Sequence, residues 1–115
     1  MRITITDRLV GRSTPESAAV PFSVSVYTDT TEPWGLVAPT TLRYRIDDPE
    51  CGTEIAGWTT VTPASTATIT VTGAQNAISS GAAREIRRLT VQADDGLATS
   101  CVSTREWYVT AGFPL

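Results

Sequence analysis

The side chains able to do chemistry in this sequence are few. They are two acidic clusters, Asp47-Asp48-Pro49-Glu50 and Asp94-Asp95, and two thiols, Cys51 and Cys101. The chain has 12 acidic and 9 basic residues, no histidine and no lysine, so every basic residue is an arginine. Without imidazole there is no Ser-His-Asp or Cys-His nucleophile pair and no histidine-ligated metal. Without lysine there is no Schiff base and no P-loop lysine. Two cysteines fall short of a four-thiolate zinc site. The acidic clusters could offer oxygen ligands to a hard cation such as calcium. Neither has the spacing of an EF-hand loop, and Asp before Pro or Gly is ordinary turn chemistry. As a catalytic pair the carboxylates lack any sign of an apolar cleft that would raise one pKa. A binding or structural role is therefore favoured over an enzyme, with no cofactor and no metal expected.

The thiols lie 50 residues apart, the kind of separation an immunoglobulin disulfide spans. The detail does not fit one. Cys51 falls in a turn, and Trp58 follows only seven residues later, whereas that framework wants Cys on two central strands with Trp between them. Two free thiols are expected.

The remaining candidates are docking residues. Arg43, Arg45 and Arg88 are expected to point outward from neighbouring strands of one sheet, with Glu106 and Tyr108 on the same outer face. Arg and Tyr suit interfaces, because their planar groups give contact area and bidentate bonds. The plainer reading is a solvated face whose charges pair with one another. Trp34 sits in a connection flanked by Pro and Gly, either as a plug over the core or as an exposed anchor. The N-terminal arm (residues 1–20) and the apolar tail (residues 111–115, with Phe113) could pair with a neighbour's sheet edge. Alternatively, residues 3–6 simply add an edge strand to their own domain.

These residues must be positioned by strands, because period-2 alternation dominates the chain. Strands are expected at residues 3–6, 21–29, 40–47, 53–62, 65–72, 85–93 and 97–110. Residues 7–20 read as a loop or arm, 30–39 as a long connection with two prolines, and 73–83 as a connection with room for one helical turn. Asp94-Asp95-Gly96 is a hairpin turn signal. About seven short strands and no long helix predict an all-β, antiparallel two-sheet sandwich of immunoglobulin or fibronectin-III type over residues 21–110. Strands 40–47, 85–93 and 97–110 are expected in one sheet, and 21–29 and 65–72 in the other. Residues 53–62 read as an edge strand.

The length, 115 residues, fits one domain that buries roughly 65% of its unfolded surface. A net charge of −3 argues against binding a phosphate backbone, so no nucleic-acid partner is expected. No apolar run approaches the length of a membrane span, so no membrane association is expected either. Met1 to Asp7 alternates polar and apolar residues and lacks the apolar core of a signal peptide, so synthesis in a cytoplasm is expected.

The stretch from Thr40 to Val109, about 70 residues, resembles small immunoglobulin- or fibronectin-like proteins from the structural modules of tailed bacteriophages. The likeness rests on Leu42-Arg43-Tyr44-Arg45-Ile46-Asp47, Gly57-Trp58-Thr59-Thr60-Val61-Thr62-Pro63 and Thr68-Ile69-Thr70-Val71. It continues through Asn76-Ala77-Ile78, Arg84-Glu85-Ile86-Arg87, Thr90-Val91-Gln92-Ala93-Asp94-Asp95-Gly96-Leu97 and Tyr108-Val109. The resemblance implies a non-enzymatic virion protein that docks in many copies, as a capsid decoration or cement protein. Its partners would be the major capsid protein or other virion proteins, with a homo-oligomer on the particle as a further option. The alternatives are a tail-associated module, or a domain that binds a carbohydrate or host surface through Trp34, Tyr27 and the Asp pairs. The thiol assignment is directly measurable: the intact mass under non-reducing conditions is expected to match the fully reduced chain, and a loss of two hydrogens would contradict it.

Overall fold

A computed structural model describes residues 1–27, 35–78, 81–96 and 100–111. Eight strands follow in order: β1 (Arg2–Thr6), β2 (Ser13–Pro15), β3 (Val20–Tyr27), β4 (Thr41–Asp48), β5 (Thr53–Val61), β6 (Thr66–Val71), β7 (Arg84–Asp94) and β8 (Ser100–Thr110). They form a three-stranded sheet, β1-β3-β6, and a five-stranded sheet, β2-β8-β7-β4-β5. Every pairing is antiparallel except β2 with β8, which is parallel.

The alternation that predicts the strands also makes the core. On β3, Phe22, Val24 and Val26 are buried while Pro21 and Ser23 are exposed. Leu42 and Ile46 on β4, Leu89, Val91 and Ala93 on β7, and Trp107 and Val109 on β8 face them from the other sheet. Each such Val, Leu or Ile contributes about 1.5–3 kcal/mol on burial. The sheet assignments expected from sequence hold, and β5 is indeed an edge strand, paired only with β4 among the described residues.

One strand departs from expectation. Residues 7–20 read as loop, yet they contain β2. Gly11 and Arg12, both at positive φ (62° and 54°), turn the chain so that Ser13 to Pro15 lie beside Tyr108 to Thr110. A three-residue strand leaves no periodic trace, and its pairing exists only because β8 supplies it. Of the arm expected over residues 1–20, β1 pairs with β3 and β2 with β8 of the same chain. Phe113 and the rest of the tail beyond Ala111 lie outside the described residues, as does Trp34.

The lower end of the core is polar. Arg87 is 1% exposed on the inward face of β7, where an apolar side chain is expected. Its Nε donates to the carbonyl of Gln75 (3.0 Å) and its Nη1 to that of Ile86 (3.0 Å). Its Nη2 donates to the carbonyl of Ala77 (2.8 Å) and to Glu85 Oε1 (2.8 Å). Asp48 Oδ2 lies 3.7 Å from Nη1. These bonds hold the connection after β6 against the sandwich. Asn76, fully buried in that connection, donates from Nδ2 to the Ala18 carbonyl (2.7 Å) and accepts from Trp107 Nε1 (3.0 Å). Gly73 packs so close to Ser17 that a Cβ there would lie 2.5 Å from the Ser17 carbonyl oxygen, so only glycine fits.

Removing one partner from such a cluster leaves its mates buried and unpaired. Arg87→Met should therefore cost about 3–5 kcal/mol, since Glu85 and Asp48 lose their cation. Trp107→Phe should cost about 1–3 kcal/mol through the orphaned Asn76 oxygen. Urea unfolding measures both; a loss below about 1 kcal/mol for Arg87→Met would show that the cluster does not hold the fold.

Candidate docking face

The outer face of the five-stranded sheet collects the candidates read from sequence. Strand register sets their neighbours. Arg43 lies opposite Thr60 on β5 and Gln92 on β7, and Arg45 lies opposite Thr90. Arg88 lies between Asp47 and Glu106, and Tyr108 lies between Ile86 and Ser13. Arg43, Arg45, Arg88, Glu106 and Tyr108 thus share one face, as their alternation predicts.

The structure divides this set electrostatically. Arg88 is tied down: its Nη2 and Nε donate to the two oxygens of buried Asp47 at 2.7 and 3.3 Å. That hydrogen bonding, with the charges of Asp47 and Glu106, raises the guanidinium pKa above its ordinary value and outweighs the opposing effect of partial burial. Arg43 and Arg45 are arranged differently. Both stack on Trp58, with guanidinium carbons 4.3 and 5.8 Å from the ring centroid. Arg43 Nε donates to Gln92 Oε1 (2.7 Å), which fixes its plane and leaves the outer nitrogens directed away from that bond. Arg45 meets Glu54 at 3.9 Å, the outer limit of an ion pair, and its Nε is buried without a hydrogen-bond partner. At the other end of the face, Arg84 lies 4.5 Å from the Tyr108 ring centroid. Val102, Trp58 and Tyr108 are all exposed on this face.

Trp58 is the residue that sequence reasoning missed. It sits where β5 carries extra residues, with Gly57 and Trp58 together opposing Arg45. Such a bulge shifts the phase of the alternation and re-aims a side chain. The available signal is the run Trp58-Thr59-Thr60-Val61, which puts Trp58 in phase with Thr60 once Val61 is placed inward.

The acidic clusters have structural duties. Asp47 pairs with Arg88 on the outer face, and the next residue, Asp48, meets Arg87 on the inner one. Asp48 Oδ1 also accepts the amides of Glu50 (2.9 Å) and Cys51 (3.3 Å) in the turn after β4. Asp94 Oδ1 accepts the Gly96 amide (2.7 Å) in the next hairpin. No group of three or more acidic, thiol or imidazole side chains gathers around a point among the described residues. Cys51 and Cys101 are unpaired. Cys101 lies opposite Ala93, whereas Cys51 follows the end of β4 that faces Arg88, five residues away along β7 and so roughly 16 Å distant. Comparison with protein-family models, curated proteins and solved structures returns no match.

The thiol of Cys51 is exposed, and the carboxylate of Asp48 foremost, then slight desolvation and the charges of Glu50 and Glu85, push its pKa above the ordinary thiol value. The thiolate is the nucleophile, so alkylation of Cys51 near pH 8 should be slower than that of a free cysteine peptide. Added salt should narrow the gap by screening the acids. Equal rates at low salt would show that the acids do not act on the sulfur.

Proposed function

We propose that this chain is an immunoglobulin-like, non-enzymatic docking module of a tailed-phage particle, serving as a capsid decoration or cement protein. Two lines support the reading. The first is strand order. If β1, β3, β4, β5, β6, β7 and β8 take the roles of strands A, B, C, C′, E, F and G, one sheet is A-B-E and the other G-F-C-C′. β2 is then the displaced half of the first strand, running parallel to G. The module departs from antibody domains in having no cysteine on β3 or β7, and its buried Trp107 stands on the last strand. The second line is the sequence resemblance over residues 40–109, which supplies the particle context.

The observation that carries the docking role is the Arg43–Trp58–Arg45 stack. A tryptophan 43% exposed and flanked by two guanidinium groups is a costly thing to leave in water. Such pairs are the residue types that dominate binding energy at interfaces. Ion pairing within the fold consumes Arg87 and Arg88, whereas Arg45 meets Glu54 only at 3.9 Å and Arg43 has no ion pair among the described residues. Many copies on a symmetric shell would each use the same patch, and weak contacts would add through multivalency.

The test is reversal of charge with the particle as ligand. Arg43→Glu together with Arg45→Glu should weaken binding to purified particles by about a hundredfold or more, which is about 2.8 kcal/mol. Its melting temperature should stay within a few degrees of the parent, because neither side chain is buried in the core. Unchanged binding removes the face from consideration. Absence of the protein from purified virions removes the particle role.

A further inference from the structure

We infer that β6 is a self-association edge, and that two copies of this chain join there as a two-fold dimer with a continuous six-stranded sheet. The inference concerns the sheet opposite the docking face and does not depend on it.

Each sheet has two edges, and an open edge invites pairing unless something blunts it. Three of the four edges are blunted. β2 has only three residues and ends in Pro15. β5 carries two register irregularities and the charge of Glu54. β1 begins with Arg2 and runs into Asp7, which is locked to Arg105 of β8 by a 2.7 Å ion pair, so charge stands at both ends of that edge. β6, Thr66–Val71, has no charge, no proline, no glycine and no bulge. Among the described residues it pairs only with β3.

The direction of its free groups follows from the register. Val26 N–H donates to the Ser65 carbonyl at 2.9 Å, so that position is a hydrogen-bonded pair of the antiparallel ladder. Hydrogen-bonded pairs recur at every second residue. Ala67, Ile69 and Val71, opposite Val24, Phe22 and Val20, therefore turn their amides and carbonyls toward β3. Thr66, Thr68 and Thr70 turn theirs outward. The edge ends there, because the Thr72 amide donates to Gln75 Oε1 (2.9 Å) and its carbonyl accepts the amides of Gln75 (3.1 Å) and Asn76 (3.2 Å).

The occupant that fits this edge is the edge itself. Thr66-Ala67-Thr68-Ile69-Thr70 has the same polar–apolar pattern read in either direction about Thr68. A two-fold axis through Thr68 sets Thr66 opposite the other copy's Thr70, and Thr68 opposite its equivalent. Six amide–carbonyl bonds close, the threonines share the outer face, and Ala67 meets Ile69 on the core side. Isologous contact needs this self-complementarity, whereas a foreign strand would not. Charge agrees: the chain carries −3 overall, yet nothing charged meets across this edge, whereas pairing β5 with itself would bring the two Glu54 residues to one junction. A five-residue pairing is small beside a standard interface of about 1,600 Å². The dimer is accordingly weak in solution and favoured where copies are held close together.

The purified reduced chain is measured by sedimentation velocity and amide exchange from micromolar to millimolar concentration. A dimer fraction that rises with concentration is expected, with added protection at the amides of Thr66, Thr68 and Thr70. Thr68→Pro removes an outward amide without touching the ladder to β3, and Thr68→Glu places two carboxylates on the axis. Each should weaken dimerisation by about tenfold or more while near-ultraviolet circular dichroism shows the fold intact. The Arg43→Glu, Arg45→Glu chain should dimerise like the parent. A monomer at every concentration overturns the inference, as does a dimer indifferent to both Thr68 variants. Loss of the dimer in the double arginine variant instead would place self-association on the docking face and equally overturn it.

Discussion

A guanidinium buried inside a β-sheet protein needs acceptors and counter-charge, and Arg87 has four hydrogen bonds, to three carbonyls and the Glu85 carboxylate, with the Asp48 carboxylate 3.7 Å away as a second counter-charge. The requirement propagates. Two of those carbonyls belong to the connection after β6, so satisfying Arg87 fixes that connection against the end of the sandwich. The fixed connection aims Asn76 at Trp107, and Trp107 packs on Phe22 of the opposite sheet with ring centroids 4.8 Å apart. One buried cation thus joins a loop, both sheets and the segment around Ala18. Its own desolvation cost is large, and the four hydrogen bonds and two carboxylates around it make it tolerable. Its gain is in specifying one arrangement of the connection.

The same logic separates the two faces of the five-stranded sheet. Asp47-Asp48 on β4 stand beside Arg87-Arg88 on β7, and the pleat sends one pair to each side. Inside, the charges are buried and structural. Outside, Arg88 and Asp47 neutralise each other at the centre of the face. What is left over is the Arg43–Trp58–Arg45 stack at the β4–β5 border. The bulge in β5 that exposes Trp58 also interrupts that edge, so a single irregularity serves the face and protects the border. β6, on the other sheet, has no such irregularity.

The sequence by itself determined the fold class, because a side-chain period of two is readable wherever a strand is half buried. Seven strands and the shared face of Arg43, Arg45, Arg88, Glu106 and Tyr108 follow from that period, and the sandwich type expected from the strand pattern supplied the sheets of five of them. The absence of histidine and lysine is likewise visible without coordinates. What only the tertiary structure decided are the features that break the period or depend on distant partners. β2 is too short to show alternation and owes its existence to β8. Trp58 is re-aimed by extra residues in β5, and only its phase with Thr60 hints at the face it takes. Arg87 and Arg88 are adjacent and chemically identical in sequence, yet one is a buried keystone and the other a surface ion pair. Alternation sends Arg88 outward and so Arg87 inward, but nothing local shows that a charged side chain can be buried on the apolar side. The carbonyls and carboxylates that make an inward guanidinium acceptable lie between one and 39 residues away in the chain, and only folding brings them to it.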